Sequence, residues 1–122
     1  MDIGNQKNDM TFYRGYEGEK EVIIAADDCV IHIWDGYFSD IFGNPLMKNG
    51  KWSGFTRDYN ESINSYGECI EWAIDSQEYL EDLMLYTKQD FDFNESRDVL
   101  ELLINIMQNA IKKGIVVTAH TN

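Results

Sequence analysis

The stretch VLELLINIMQNAI, residues 99–111, decides the fold, because nine of its thirteen positions are apolar. That proportion is too high for a helix with one solvated face, so the sequence predicts a central helix. Lys112 and Lys113 follow, where positive charge complements the negative end of the helix dipole. Gly114 then supplies the left-handed residue with which helices commonly end.

The start of this helix is predicted at Asp92 or Asn94, and a second helix is predicted before it. Asp75 can act as the N-cap of that second helix, and Glu78 completes a capping box three residues later. Helical periodicity predicts an inner side made of Tyr79, Leu80, Leu83 and Met84. The same periodicity predicts an outer side made of Glu78, Glu81 and Asp82.

Short apolar, β-branched runs predict the strands. Residues 21–26 and 29–34 are two such runs, which suit neighbouring buried strands and plausibly a hairpin. Residues 37–42 favour a weaker strand. Residues 70–74 alternate in a way that suits a half-buried strand, although a helix stays open there, and residues 115–120 predict a final strand.

Asn49-Gly50 is the strongest turn signal in the chain. Both residues tolerate the positive φ of a two-residue hairpin turn, so Lys48 and Lys51 should face each other across it. Residues 52–59 are then predicted to run back as a strand, and residues 60–67 to form a loop.

The order of these elements predicts an α+β fold with two helices packed on a mostly antiparallel sheet. A chain of 122 residues has the common size of one domain, so residues 1–122 are predicted to form a single domain. The polar residues 1–9 are expected to be frayed.

Acidic charge dominates the chain, with 22 acidic against 10 basic residues and a net charge of −12. Between residues 58 and 96, eleven acidic residues face the single Lys88, which indicates a basic partner. The alternative is that this charge serves solubility alone. Such a field repels nucleic acid and anionic lipid, so neither is an expected partner. Two cysteines, no membrane span and no secretory signal predict a cytoplasmic protein.

Catalytic and cofactor motifs do not emerge from the sequence. Cys29 and His32 are three positions apart on a predicted strand, which sends their side chains to opposite faces, and only Cys69 and His120 could complete a metal site. No nucleophile elbow or phosphate-binding glycine loop is present. The prediction is therefore a protein that is not an enzyme and holds no metal or cofactor.

Aromatic residues next to acids are the candidate binding site. Trp34 and Trp72 are predicted to lie in the core. An aromatic interleaved with carboxylates can match a basic groove in both charge and stacking. The residues predicted to form the partner-binding surface are Tyr37, Asp40, Asp58, Tyr59, Glu61, Tyr66 and Glu68.

The chain resembles the immunity proteins of bacterial polymorphic toxins, including those of contact-dependent growth inhibition systems. The resemblance is carried by small size, acidic charge, the α+β pattern and the segment WSGFTRDYNESINSYGE at residues 52–68. It implies a cytoplasmic protein that binds one cognate basic toxin domain, often a nuclease, and blocks its active site. Two alternatives are a nucleic-acid mimic that inhibits another protein and a small ligand-binding or enzymatic domain.

Overall fold

A computed structural model describes residues 7–26, 29–62 and 71–121, and this part of the chain has an α+β fold. Its elements in chain order are the strands β1 (Lys7–Phe12), β2 (Glu21–Ala26) and β3 (Cys29–Trp34), the helices α1 (Asp35–Phe42) and α2 (Gly54–Ser62), the strand β4 (Glu71–Ala73), the helices α3 (Ser76–Met84) and α4 (Asn94–Lys113), and the strand β5 (Val117–Thr121).

The five strands form one mixed sheet in the order β1-β3-β2-β5-β4. The pairs β2–β3, β2–β5 and β4–β5 are antiparallel, as predicted, whereas β1 lies parallel to β3 at the sheet edge. The prediction that residues 1–9 are frayed is wrong for residues 7–9, which belong to β1. Polar residues can form this strand because only one of its edges pairs with the sheet.

Alternation along the strands gives the sheet an apolar face and a polar face. Val22, Ile24, Ile31 and Ile33 are almost fully buried and belong to one core cluster with the helices. On β5, Val117 and Ala119 also face this core. The opposite face carries polar residues at the alternate positions of β2, β3 and β5, namely Glu21, His32, Thr118 and His120. The predicted β2–β3 hairpin and final strand are therefore confirmed.

Helix α1 replaces the strand that was predicted for residues 37–42. Its buried residues are Tyr37, Phe38, Ile41 and Phe42, which recur at one helical turn. That spacing places all four side chains on one face of a helix, whereas a strand would send neighbouring side chains to opposite faces. Burial of large apolar groups on one side therefore outweighs the modest strand propensity of these residues.

The Asn49-Gly50 turn is confirmed, but the strand expected after it is wrong. Asn49 and Gly50 have φ values of 54° and 76°, and Lys48 and Lys51 exchange both backbone hydrogen bonds across them. Pairing stops after this single bridge, and the chain enters helix α2 at Gly54. The hairpin is thus a local turn and not the start of a longer two-stranded ribbon.

Helix α3 begins as predicted but is rotated from the predicted orientation. The Asp75 side chain accepts hydrogen bonds from the amides of Gln77 and Glu78, which confirms the N-cap. Tyr79 and Leu83 face the core, as expected. Asp82, however, is fully buried, and Met84 is 49% exposed. The predictions that Asp82 lies on the outer side of the helix and Met84 on the inner side are therefore wrong.

Helix α4 begins at Asn94 and contributes six buried residues to the core, but Glu101, Asn105, Gln108 and Asn109 are exposed, so the prediction of a central helix without a solvated face is wrong. Its buried positions include Val99, Leu100, Leu103 and Met107. Gly114 follows with φ of 68° and donates its amide to the Ala110 carbonyl, which confirms the left-handed cap. The described residues contain four helices, two more than predicted, because α1 and α2 occupy segments expected to be strands. No helix among them has both the length and the apolar character needed to span a membrane.

Candidate functional site

The predicted partner-binding tyrosines are core residues in the structure. Tyr37 and Tyr59 are 4% and 5% exposed, so the expectation that their rings lie at the surface is wrong. Tyr37 packs edge-on against Trp34, and Tyr59 packs against Phe38 and donates its hydroxyl to Asp35. Both rings lie on inward helix faces, so neither is available to a partner.

Asp40 holds the start of helix α4. Its carboxylate accepts hydrogen bonds from the amides of Asp92 and Phe93, each at 2.9 Å, and from the Ser96 hydroxyl at 2.6 Å. Burial alone would raise the pKa of Asp40, but the bonds from Ser96, Phe93 and Asp92 outweigh it and lower the pKa. Asp40, on α1, therefore fixes the segment that leads into α4.

Asp58 is likewise engaged inside the domain. Its carboxylate pairs with the Arg57 guanidinium at 3.0 Å and accepts the Tyr79 hydroxyl. Among the described members of the predicted surface, Glu61 alone is classed as exposed. Tyr66 and Glu68 lie outside the described residues. The described residues therefore do not assemble the predicted binding surface.

The dense acidic segment between residues 58 and 96 also proves to be heterogeneous. Five of its acids are engaged within the domain, as ion pairs, a helix cap or a buried group: Asp58, Asp75, Glu78, Glu81 and Asp82. Five others are exposed: Glu61, Glu71, Asp90, Asp92 and Glu95. The charge available to a partner therefore comes from a subset of the segment.

A cluster of aromatic rings reaches the surface where β3 meets α1. Tyr16 stacks on Trp34 with ring centroids 3.9 Å apart and planes within 5°. Phe93, which is 39% exposed, contacts Trp34 edge-on at 5.5 Å and Tyr37 at 5.8 Å. Trp34 is partly buried, so the prediction that it lies in the core holds only for its inner edge, whereas Trp72 is buried as predicted.

Gly36 allows the Trp34 ring to lie flat on helix α1. A Cβ at this position would come within 2.3–2.5 Å of three indole carbons. One face of the indole therefore lies against Gly36 and the other against Tyr16, which fixes the ring in one orientation. A fixed aromatic loses little entropy on binding, which favours its use in an interface.

Three exposed carboxylates surround these rings. The Trp34 indole N–H donates to Glu19 at 3.2 Å, and Asp92 precedes Phe93 in the chain. Burial and a hydrogen bond from the Tyr37 hydroxyl to Tyr16 raise the pKa of Tyr37, and the nearby Glu95 carboxylate raises it further. None of these carboxylates forms an ion pair with another described residue. We define the aromatic–acidic patch as Tyr16, Trp34 and Phe93 together with Glu19, Asp92 and Glu95.

The patch was missed from sequence because its members come from three separate segments. Its one local signal is Trp34 directly before Asp35-Gly36, where a large ring precedes a residue without a side chain. That signal does not say which distant rings will meet Trp34.

A second polar cluster is buried between α2, α3 and the loop before the hairpin. Asp82 accepts the Thr56 amide at 2.9 Å and the Thr56 hydroxyl at 2.7 Å. The Thr56 hydroxyl oxygen lies 2.7 Å from the Tyr86 hydroxyl, which accepts the Leu46 amide at 3.0 Å. Burial raises the pKa of Asp82 to about 6, even though the bonds from Thr56 oppose this rise. This cluster fixes the first turn of α2 on α3.

Cys29 and His32, the pair with metal-ligand spacing in the sequence, lie on opposite faces of the sheet. Cys29 packs against the core, whereas His32 lies on the opposite sheet face. The His32 ring contacts Glu21 at 2.5 Å and Asn8 at 3.1 Å. Across the described residues, no group of three or more histidine, cysteine or acidic side chains could hold a metal ion.

Comparison with known proteins gave no match to a family model, a curated protein or a solved structure.

Proposed function

We propose that this chain is an immunity protein that binds a basic toxin domain and neutralises it. The class of toxin we propose is a nuclease of a bacterial polymorphic-toxin or contact-dependent growth inhibition system. The net charge of −12 supports this proposal, because it attracts a positively charged protein and disfavours direct binding to nucleic acid.

The observation that carries the proposal is the aromatic–acidic patch. Exposed aromatic surface that lies among polar residues is typical of an interaction site. Here the carboxylates beside the rings form no ion pair with another described residue. Arginine and lysine side chains can bind such a surface through two interactions, a cation–π contact with a ring and an ion pair with a carboxylate. A basic partner therefore fits the patch better than a neutral one.

Covering a nuclease groove with this surface would inhibit the enzyme by occlusion. The groove of a nuclease is basic and often aromatic, because it binds phosphates and bases. An acidic protein with rigid surface rings offers the same groove competing charge and stacking. Inhibition by this route needs no catalytic side chain on the inhibitor.

The test is to express the chain together with candidate nuclease toxin domains from the same genome and to measure growth. The wild-type chain should restore growth. The double variant Phe93→Ala with Glu95→Lys should lose protection, because it removes exposed ring area and reverses one charge of the patch. The control, Ile111→Ala with Glu71→Lys, removes an exposed aliphatic side chain and makes the same charge reversal outside the patch, and it should still protect.

Gly36→Ala gives an independent variant that leaves the surface charge unchanged. The new methyl group must displace the Trp34 ring, and circular dichroism checks that the variant remains folded. Protection should therefore weaken in a folded protein. Failure of the wild-type chain to protect, or equal protection by the patch variants and the control, would contradict the proposal.

A further inference from the structure

A cleft of about 370 Å³ lies between the second half of α4 and the strands β1, β2 and β3. Most of its walls are apolar, and they include Ala26, Ile31, Leu102, Ile106 and Ile115. The volume is within the range of small-molecule sites in proteins. We call this space the α4 cleft, and it shares no residue with the aromatic–acidic patch.

The apolar wall on the helix side is a row of residues that the core covers only in part. Leu102, Ile106 and Ala110 are four residues apart, so they follow one another along one side of α4. Leu102 and Ile106 are partly buried, whereas Ala110 is 3% exposed and forms the floor. An apolar hollow with a few polar groups at its rim is the usual form of a ligand site.

Asp9 places a carboxylate where the edge strand could have completed the apolar core. It pairs in register with Ile31, which is 4% exposed, and paired residues of neighbouring strands share a sheet face. Asp9 therefore lines the α4 cleft from the sheet side. Its carboxylate accepts the Thr11 amide at 2.9 Å, and hydrogen bonds from Thr11 lower the pKa of Asp9, so the group is charged at neutral pH.

Lys113 brings the opposite charge to the same cleft. It lies three residues after Ala110, on the same side of α4, and is exposed. Asp9 and Lys113 form no ion pair with each other or with another described residue. An acid and a base therefore line one apolar cleft without neutralising each other, and Asn109 adds an amide beside them.

We infer that the α4 cleft binds an α-amino acid with a large apolar side chain. Its ammonium group would donate to the Asp9 carboxylate, and its carboxylate would accept from the Lys113 ammonium and the Asn109 amide. Its side chain would pack against Leu102 and Ile106, which removes apolar surface of both molecules from water. A simple amine or a simple carboxylate leaves one charge of the cleft without a partner, so the site selects the zwitterion.

The experiment is a calorimetric and NMR titration of the purified chain at pH 7 with L-leucine, L-phenylalanine and L-tryptophan. We expect at least one of them to bind with a submillimolar Kd. Two analogues of the tightest ligand, the amine without its carboxylate and the acid without its ammonium group, should each bind about tenfold more weakly. For phenylalanine these analogues are 2-phenylethylamine and 3-phenylpropionate. Glycine, which lacks the apolar side chain, should not bind measurably.

Substitutions with matched controls then locate the site. Asp9→Asn and Lys113→Ala should each weaken binding of the amino acid by about fivefold or more, because each removes one charge that the ligand meets. The controls are Asp98→Asn and Lys112→Ala, which make the same changes at exposed positions of α4 outside the cleft and should leave the affinity unchanged. Thermal unfolding of each variant separates a loss of binding from a loss of folding.

Three results would overturn the inference. The first is no binding of any of the three amino acids at about 5 mM, a concentration at which a submillimolar site is nearly filled. The second is equal affinity for the amino acid and for an analogue that lacks one charge. The third is equal binding by the folded cleft variants and their controls. None of these results bears on the patch, so this inference and the proposed function can fail separately.

Discussion

At the scale of one residue, the buried Asp82 carboxylate loses its hydration and gains hydrogen bonds that hold helix α2 in place. It is fully enclosed, and its two oxygens accept the amide and hydroxyl of Thr56 at the start of α2. The raised pKa, about 6 against an ordinary value of 3.8, shows that the lost hydration outweighs these bonds. The carboxylate therefore positions α2 at some expense of stability near neutral pH.

The pH dependence of unfolding should reveal this cost. Because the pKa of Asp82 is higher in the folded than in the unfolded chain, its contribution to stability is greatest below pH 3.8 and is lost as the pH rises through about 6. The loss should be roughly 3 kcal/mol at most. Denaturant titrations of wild type and Asp82→Asn measure this contribution as the difference between their free energies of unfolding. That difference should fall between pH 4 and pH 7. A difference independent of pH would show that Asp82 titrates normally.

Helix α4 shows at the scale of elements why some of the fold could be predicted. Its helical course, its two terminal lysines and its Gly114 cap follow from local signals, and the structure reproduces each of them. The β2–β3 hairpin and the Asp75 cap are local in the same sense. Predictions of this kind succeed because the determining residues are neighbours in the chain.

Helices α1 and α2 show why the rest could not be predicted. The alternation after Trp52 suits a strand, but Asp82, from a later helix, caps the first turn of α2. Gly54 permits this contact, since it has φ of 53° and a Cβ there would come within 2.9 Å of Asp82. The aromatic–acidic patch was missed for a similar reason, because the packing of distant segments creates it.

The buried side of α4 gives a prediction at this scale. Leu103 is fully buried, so Leu103→Ala should lower the free energy of unfolding by about 2–5 kcal/mol. Ile111 lies on the same helix but is 44% exposed, and Ile111→Ala should change it by less than about 1 kcal/mol. Urea titrations of the two variants measure the contrast. Equal effects would show that Leu103 is not on the buried side of α4.

At the scale of the whole molecule, the distribution of charge matters more than its total. Lys48 and Arg57 neutralise acids near the hairpin, whereas Glu19, Asp92 and Glu95 stand without described counter-charges around the patch. The field that a basic partner meets should therefore be strongest at the exposed rings. Steering by such a field accelerates association and is screened by salt.

The most direct test of the account is the association rate of the proposed toxin partner with three forms of the chain: wild type, Glu95→Lys and Glu71→Lys. Stopped-flow measurements at low salt should show that Glu95→Lys slows association severalfold more than Glu71→Lys, because only Glu95 belongs to the patch. All three rates should converge as ionic strength approaches about 0.5 M, where exposed charges are screened within a few ångströms. Equal slowing by both reversals, or rates indifferent to salt, would contradict the claim that the aromatic–acidic patch receives the partner.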